Sequence, residues 1–250
     1  MDKFDLWKKS TSLRKQLGED SQSPIDIFSL VATIEHLTIV FYPMSDRLSG
    51  ICIKGEKNDV IAINSAMSIG RQRFSMAHEL FHLFYDINLG TTICAQKIGV
   101  GQQIEKAADQ FASYFLMPPD ALTDTIKRIK GKADAKLAVS CVVKLEQYFG
   151  VSRQAMLLRL IEEKQIDNRQ ADAMRHDIIR SAMCLGFSDS LYRPLPLEKQ
   201  HRTYGYYIQQ ADEILEKELV SNGKYEELLL DAFRSDLVFG EDLEGGELID

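Results

Sequence analysis

One run of residues, RFSMAHELFHLFYD at positions 73–86, limits what this chain can fold into more than any other. Phe74, Ala77, Phe81 and Phe84 recur at helical spacing, so the run reads as a helix. His78 and His82 then lie one turn apart on the same face, with Glu79 beside them. Two imidazoles at positions i and i+4 can grip one divalent ion, and a carboxylate at i+1 can take the proton of a water on that ion. The plainer alternative is two histidines that cap a core or face water. The two readings differ in what they demand of the fold: an ion needs a third ligand, delivered from elsewhere in the chain.

Glu105 is the candidate for that third ligand. It opens the next helical pattern, IEKAADQFASYFLMPPD at 104–120, whose apolar stripe is Ile104, Ala108, Phe111 and Phe115 and which Pro118 and Pro119 terminate. Asp109 falls one turn after Glu105, on the same face. One carboxylate can hold the metal; the other can accept the free ring N–H of a ligating histidine, as metal-bound histidines usually require. On its own, this pair also fits two solvated acidic residues.

The remaining sequence reads as an α+β fold. LTIVFY (37–42) is rich in β-branched and aromatic residues and predicts a strand; SGICIKGEKNDVIAIN (49–64) predicts a hairpin, giving a small antiparallel sheet of about three strands. Helices are expected at 3–17, 23–37, 119–129, 134–148, 153–164, 203–220 and 223–235. A loop is expected at 86–103 and a linker at 186–200. From residue 236 the chain is acidic and glycine-rich and reads as a disordered tail. A net charge of −7 argues against general attraction to nucleic acid or anionic membrane. No apolar run reaches the ~20 residues of a membrane-spanning helix. The charged N-terminus has no signal-peptide core, and the four scattered cysteines form no framework or thiolate zinc motif, so a cytoplasmic location is expected.

RFSMAHELFH followed by IEKAADQFASYFLMP resembles the ImmA/IrrE family of zinc metallopeptidases. The likeness rests on Arg73, Phe74, Ala77, His78, Glu79, His82, Glu105, Asp109, Phe111, Ala112, Leu116, Met117 and Pro118, and extends over about residues 23–165, from SPIDIFSL to YFGVSRQAMLLRL. It departs from the family at Asp109, where many members have Asn, and at Ala107, where many carry a second acidic residue. Read with that resemblance, the chain divides into a zincin-like metallopeptidase domain over 1–120 and a helix-turn-helix-like segment packed on it over 121–165; the sequence pattern beyond it gives a helical C-terminal region over 166–235 and the acidic tail over 236–250. It also implies zinc (Zn2+) on His78, His82 and Glu105, with Glu79 as general base and Asp109 orienting a histidine. The implied substrate is a regulatory protein, a helix-turn-helix repressor or antitoxin. Strand 59–64 is expected to pair with an extended substrate.

Three further features carry weaker readings. Residues 136–160 have a helix-turn-helix outline with Arg153 and Arg159 on the second helix, but Glu162 and Glu163 follow and a packing pair is the expected role. Cys94, between the two metal helices, is either inert or a thiolate latch on the ion, and the acidic tail could reach the site in the same way. His36, His176 and His201 are isolated. The alternative function is a non-catalytic regulator, such as one half of a toxin–antitoxin pair, which would have no need of Glu79.

Overall fold

The computed structural model describes residues 1–86, 90–95, 98–99, 102–131 and 136–240. The elements in order are α1 (Lys3–Gln16), α2 (Ile27–Val31), β1 (Leu37–Tyr42), β2 (Leu48–Lys54), β3 (Asp59–Asn64), α3 (Ile69–Tyr85), β4 (Gly90–Ala95), α4 (Gln103–Leu116), α5 (Pro119–Lys130), α6 (Val139–Phe149) and α7 (Arg153–Glu162). Then come α8 (Asn168–Ala173), α9 (Ile178–Met183), β5 (Arg202–Gly205), α10 (Tyr206–Glu216), α11 (Asn222–Asp231) and α12 (Ser235–Phe239). The α+β class holds, but the sheet is larger than expected and mixed: five strands among the described residues, in the order β4-β2-β3-β1-β5.

The difference has local causes. The β2–β3 hairpin forms as expected, but β3 then pairs in parallel with β1, with Ile39 opposite Ile61 and Phe41 opposite Ile63. This leaves β2 with an open edge, and GTTICA, expected as loop, takes it as β4. β5 closes the other side against β1 within what reads as the start of a helix. Gly205 ends that strand at φ +83°, where an added Cβ would stand 2.4 Å from the Leu37 carbonyl oxygen, so only glycine fits the turn into α10. The substrate-pairing expectation for 59–64 is corrected with it: β3 is central and both its edges are occupied. The expected helix at 23–37 shortens to α2; turns follow it, and His36 at φ 58° immediately precedes β1.

One face of the sheet carries α3. Ile39, Ile61 and Cys52 form a buried row across three strands, and Phe41, Ile63, Gly50 and Cys94 form the next row across four. α4 packs against α3 through Phe81 and Phe111, 5.6 Å between ring centroids, and Phe111 stacks on Phe115. α1 covers α4. Full burial of each such aromatic stabilises by roughly 1.5–3 kcal/mol, which fixes the relative placement of α3 and α4.

The helix-turn-helix outline is real, but its arginines point inward. Arg153 pairs with the buried Glu146 on α6 and donates from Nη1 to the Met174 carbonyl at 2.7 Å; Arg159 donates to Ser113 Oγ at 3.1 Å. Neither is presented to a nucleic acid. The 186–200 segment is not free either: Tyr192 donates to Glu146 Oε2 at 2.7 Å. The acidic end begins later than residue 236, because Asp236 lies in α12, 2.6 Å from Arg202 Nη1 and 2.9 Å from Arg234 Nη2; residues 241–250 lie outside the described ones. No helix among the described residues is long and apolar enough to cross a membrane.

Candidate metal centre

His78 and His82 come from the buried middle of α3, and Glu105 from the first turn of α4. Helical spacing turns both imidazoles toward α4, and the Phe81–Phe111 contact sets the distance across. His78 Nε2 lies 3.2 Å from His82 Nε2. Glu105 reaches both: Oε2 is 3.4 Å from His78 Nε2 and Oε1 is 3.4 Å from His82 Nε2.

The outer ring nitrogens are held by carboxylates. His78 Nδ1 meets Asp109 Oδ1 at 2.8 Å, and His82 Nδ1 meets Asp86 Oδ2 at 3.3 Å. With each Nδ1–H donating outward, the two Nε2 lone pairs and the Glu105 carboxylate converge on one point. Three electron-rich atoms at that separation repel unless a cation lies between them. Burial pushes the His78 imidazole down, but its hydrogen bonds to Asp109 and Glu105 outweigh burial and raise it to about 10. His82 is driven down by burial and by its charged neighbour His78, and stays neutral.

A divalent ion fits this set better than a proton. Ligand atoms ~2.0–2.1 Å from a tetrahedral ion stand about 3.3–3.4 Å apart, and the donors are the nitrogen and oxygen types that suit zinc. The 3.2 Å between the two imidazole nitrogens and the 3.4 Å from each of them to one or the other Glu105 oxygen are close to that edge length. His78, His82 and Glu105 could therefore hold a metal, joined by Cys94, since one ligand atom from each of the four lies within 4.8 Å of the others.

Glu79 is fully buried on the same turn of α3 and points at the sheet rather than at α4. Its carboxylate lies over Gly50: an added Cβ there would be 2.5 Å from Glu79 Oε1. Oε2 accepts from Cys94 Sγ at 3.3 Å, while Oε1 has no hydrogen-bond partner among the described residues. Burial raises this carboxyl to about 7, helped by the nearby Glu105 and Asp109 charges and opposed by His78 and Cys94. That is the range in which a carboxylate can take and return a proton near neutral pH.

All five residues singled out from the sequence, His78, Glu79, His82, Glu105 and Asp109, thus meet in one place. Sequence reasoning missed Asp86, although its spacing of four from His82 was a readable signal. It also missed Gly50, whose role depends on strand register that no local pattern reveals. Arg71, two helical turns before His78, was missed too: its Nε and Nη1 are buried without a partner among the described residues, and Asp109 supports its charge against burial, which lowers it to about 10. Arg73 binds the Gly150 and Ile25 carbonyls and so ties α3 to its neighbours rather than to the centre. His36 and His201 pack edge-on against Tyr206 and Tyr42, in the half of the sheet bordered by β5.

Comparison with known proteins agrees with the geometry. Residues 38–161 match the family model described as the IrrE N-terminal-like domain, Peptidase M78. A stretch of 119 residues is 33% identical to the radiation response metalloprotease IrrE of Deinococcus deserti. That match covers 45% of this chain and 41% of the relative, so less than half of the relative's length is spanned.

Proposed function

Because the chain belongs to the ImmA/IrrE family of metallopeptidases, we propose that it is a zinc-dependent endopeptidase that cuts a regulatory protein. The observation that carries this reading is the convergence of His78 Nε2, His82 Nε2 and Glu105 at 3.2 to 3.4 Å, with the Glu79 carboxylate buried alongside. A zinc ion held there supplies Lewis acidity and lowers the pKa of water toward ~7. Glu79 accepts the proton of the attacking water and passes it to the leaving amine. Asp109 and Asp86 hold the two imidazoles in the tautomer that leaves Nε2 free. The edge strand β4 offers its outer side for an extended substrate to add as a further strand.

The substrate class we favour, a helix-turn-helix repressor or antitoxin, rests on the family resemblance. The test incubates the zinc-loaded protein with the helix-turn-helix protein encoded beside its gene and identifies fragments by mass spectrometry. Glu79→Gln should retain the metal and lose at least ~100-fold in cleavage rate. A metal-loaded Glu79→Gln protein that cuts as fast as the native one would refute Glu79 as the general base, whereas a native zinc-loaded protein that binds its partner without cutting it would favour a purely binding role.

A further inference from the structure

Cys94 is not at the rim of the centre but inside it. It sits on β4 directly opposite Gly50 of β2, on the sheet face that carries α3. Gly50 has no side chain to separate them, so the Cys94 sulfur and the Glu79 carboxylate come together over it. Cys94 is fully buried, and its Sγ belongs to the same four-atom group, within 4.8 Å, as the His78, His82 and Glu105 ligand atoms. Glu79 Oε1, also buried, has no hydrogen-bond partner among the described residues. Cys94 Sγ donates to Glu79 Oε2 at 3.3 Å.

We propose that Cys94 is a fourth protein ligand to the ion and that the centre rests in a closed, latent state because of it. This rests on the reading that His78, His82 and Glu105 hold a metal. Four protein ligands are the pattern of a structural zinc site, whereas a catalytic site keeps one position for water. Thiol coordination proceeds as the thiolate. The Cys94 S–H bond breaks, the proton passes to Glu79 Oε2, to which it is already donated at 3.3 Å, and a sulfur lone pair bonds to the ion in place of water. The latch therefore removes the nucleophile and loads the base in one exchange. Withdrawal of β4, which among the described strands pairs with β2 at one edge of the sheet, reverses both.

Cobalt(II) substitution tests this without any cleavage assay. The wild-type cobalt protein should show a near-ultraviolet sulfur-to-cobalt charge-transfer band together with the visible spectrum of a tetrahedral site. Cys94→Ala and Cys94→Ser should lose the band, and Cys52→Ala, one row away on the same sheet face, should keep it. Metal dissociation constants in the two Cys94 variants should rise by more than the about tenfold that loss of an outer partner costs, while substrate cleavage at saturating metal increases. Cobalt that binds wild-type protein with no sulfur band overturns the latch and leaves the metallopeptidase reading standing, as does a band that survives both Cys94 substitutions. Failure to bind cobalt at all removes both. Because the wild-type spectrum decides the main point, a Cys94 variant that does not fold leaves the test intact.

Discussion

At the scale of single residues, the centre depends on what is missing as much as on what is present. Gly50 offers no side chain, and the Glu79 carboxylate occupies that space. Gly50→Ala should therefore displace Glu79 while leaving the three metal-binding side chains in place. The expected outcome is an unchanged metal content and a loss of cleavage of about 10- to 1000-fold, approaching that of a deleted general base. Loss of metal in step with activity would show instead that the whole centre had shifted. His78 with His82 and Glu105 with Asp109 were legible from sequence because helical spacing translates directly into a shared face, and Glu79 through its place in the His-Glu-x-x-His run. Gly50 was not, because its significance lies in a register between strands that are far apart in the chain. Cys94 was visible as a candidate, but only the pairing of β4 with β2 turns a loop cysteine into a member of the cluster.

At the scale of elements, the long apolar-periodic helices were predictable and the strands and turns less so. α3 and α4 carry strong stripes, whereas β4 and β5 are short, and each becomes a strand because a neighbouring edge is available to pair with. The same dependence on neighbours holds at the C-terminal end of α4, where the last carbonyls need partners. Arg14 of α1 supplies one: it is buried and donates to the Phe115 carbonyl at 2.6 Å, and also to the Asp20 and Ser23 carbonyls. Arg14→Met keeps the bulk of the side chain but strips three acceptors of their donor. It should lower stability by about 3 kcal/mol, read as a lower urea midpoint at unchanged slope. A change below about 0.5 kcal/mol would mean that water replaces the guanidinium there and that α1 contributes to α4 only through apolar contact.

For the whole molecule, the sheet and helices serve to bring separate segments to one point: α3, α4 from beyond β4, and β2 and β4 from beneath. The C-terminal region joins the same body through the pairing of β5 with β1 and the Tyr207 N–H donating to Thr38 Oγ1 at 3.1 Å, which the hydrophobic pattern of 186–240 did not foreshadow. Every functional statement above depends on that convergence producing one ion-binding point. The most direct measurement is an anomalous-difference map at the zinc edge from crystals of the zinc-loaded full chain. One peak is predicted, about 2.0–2.1 Å from His78 Nε2 and His82 Nε2 and about 2.0–2.2 Å from a Glu105 oxygen. No peak, or a peak that leaves either imidazole or Glu105 uncoordinated, would contradict the account.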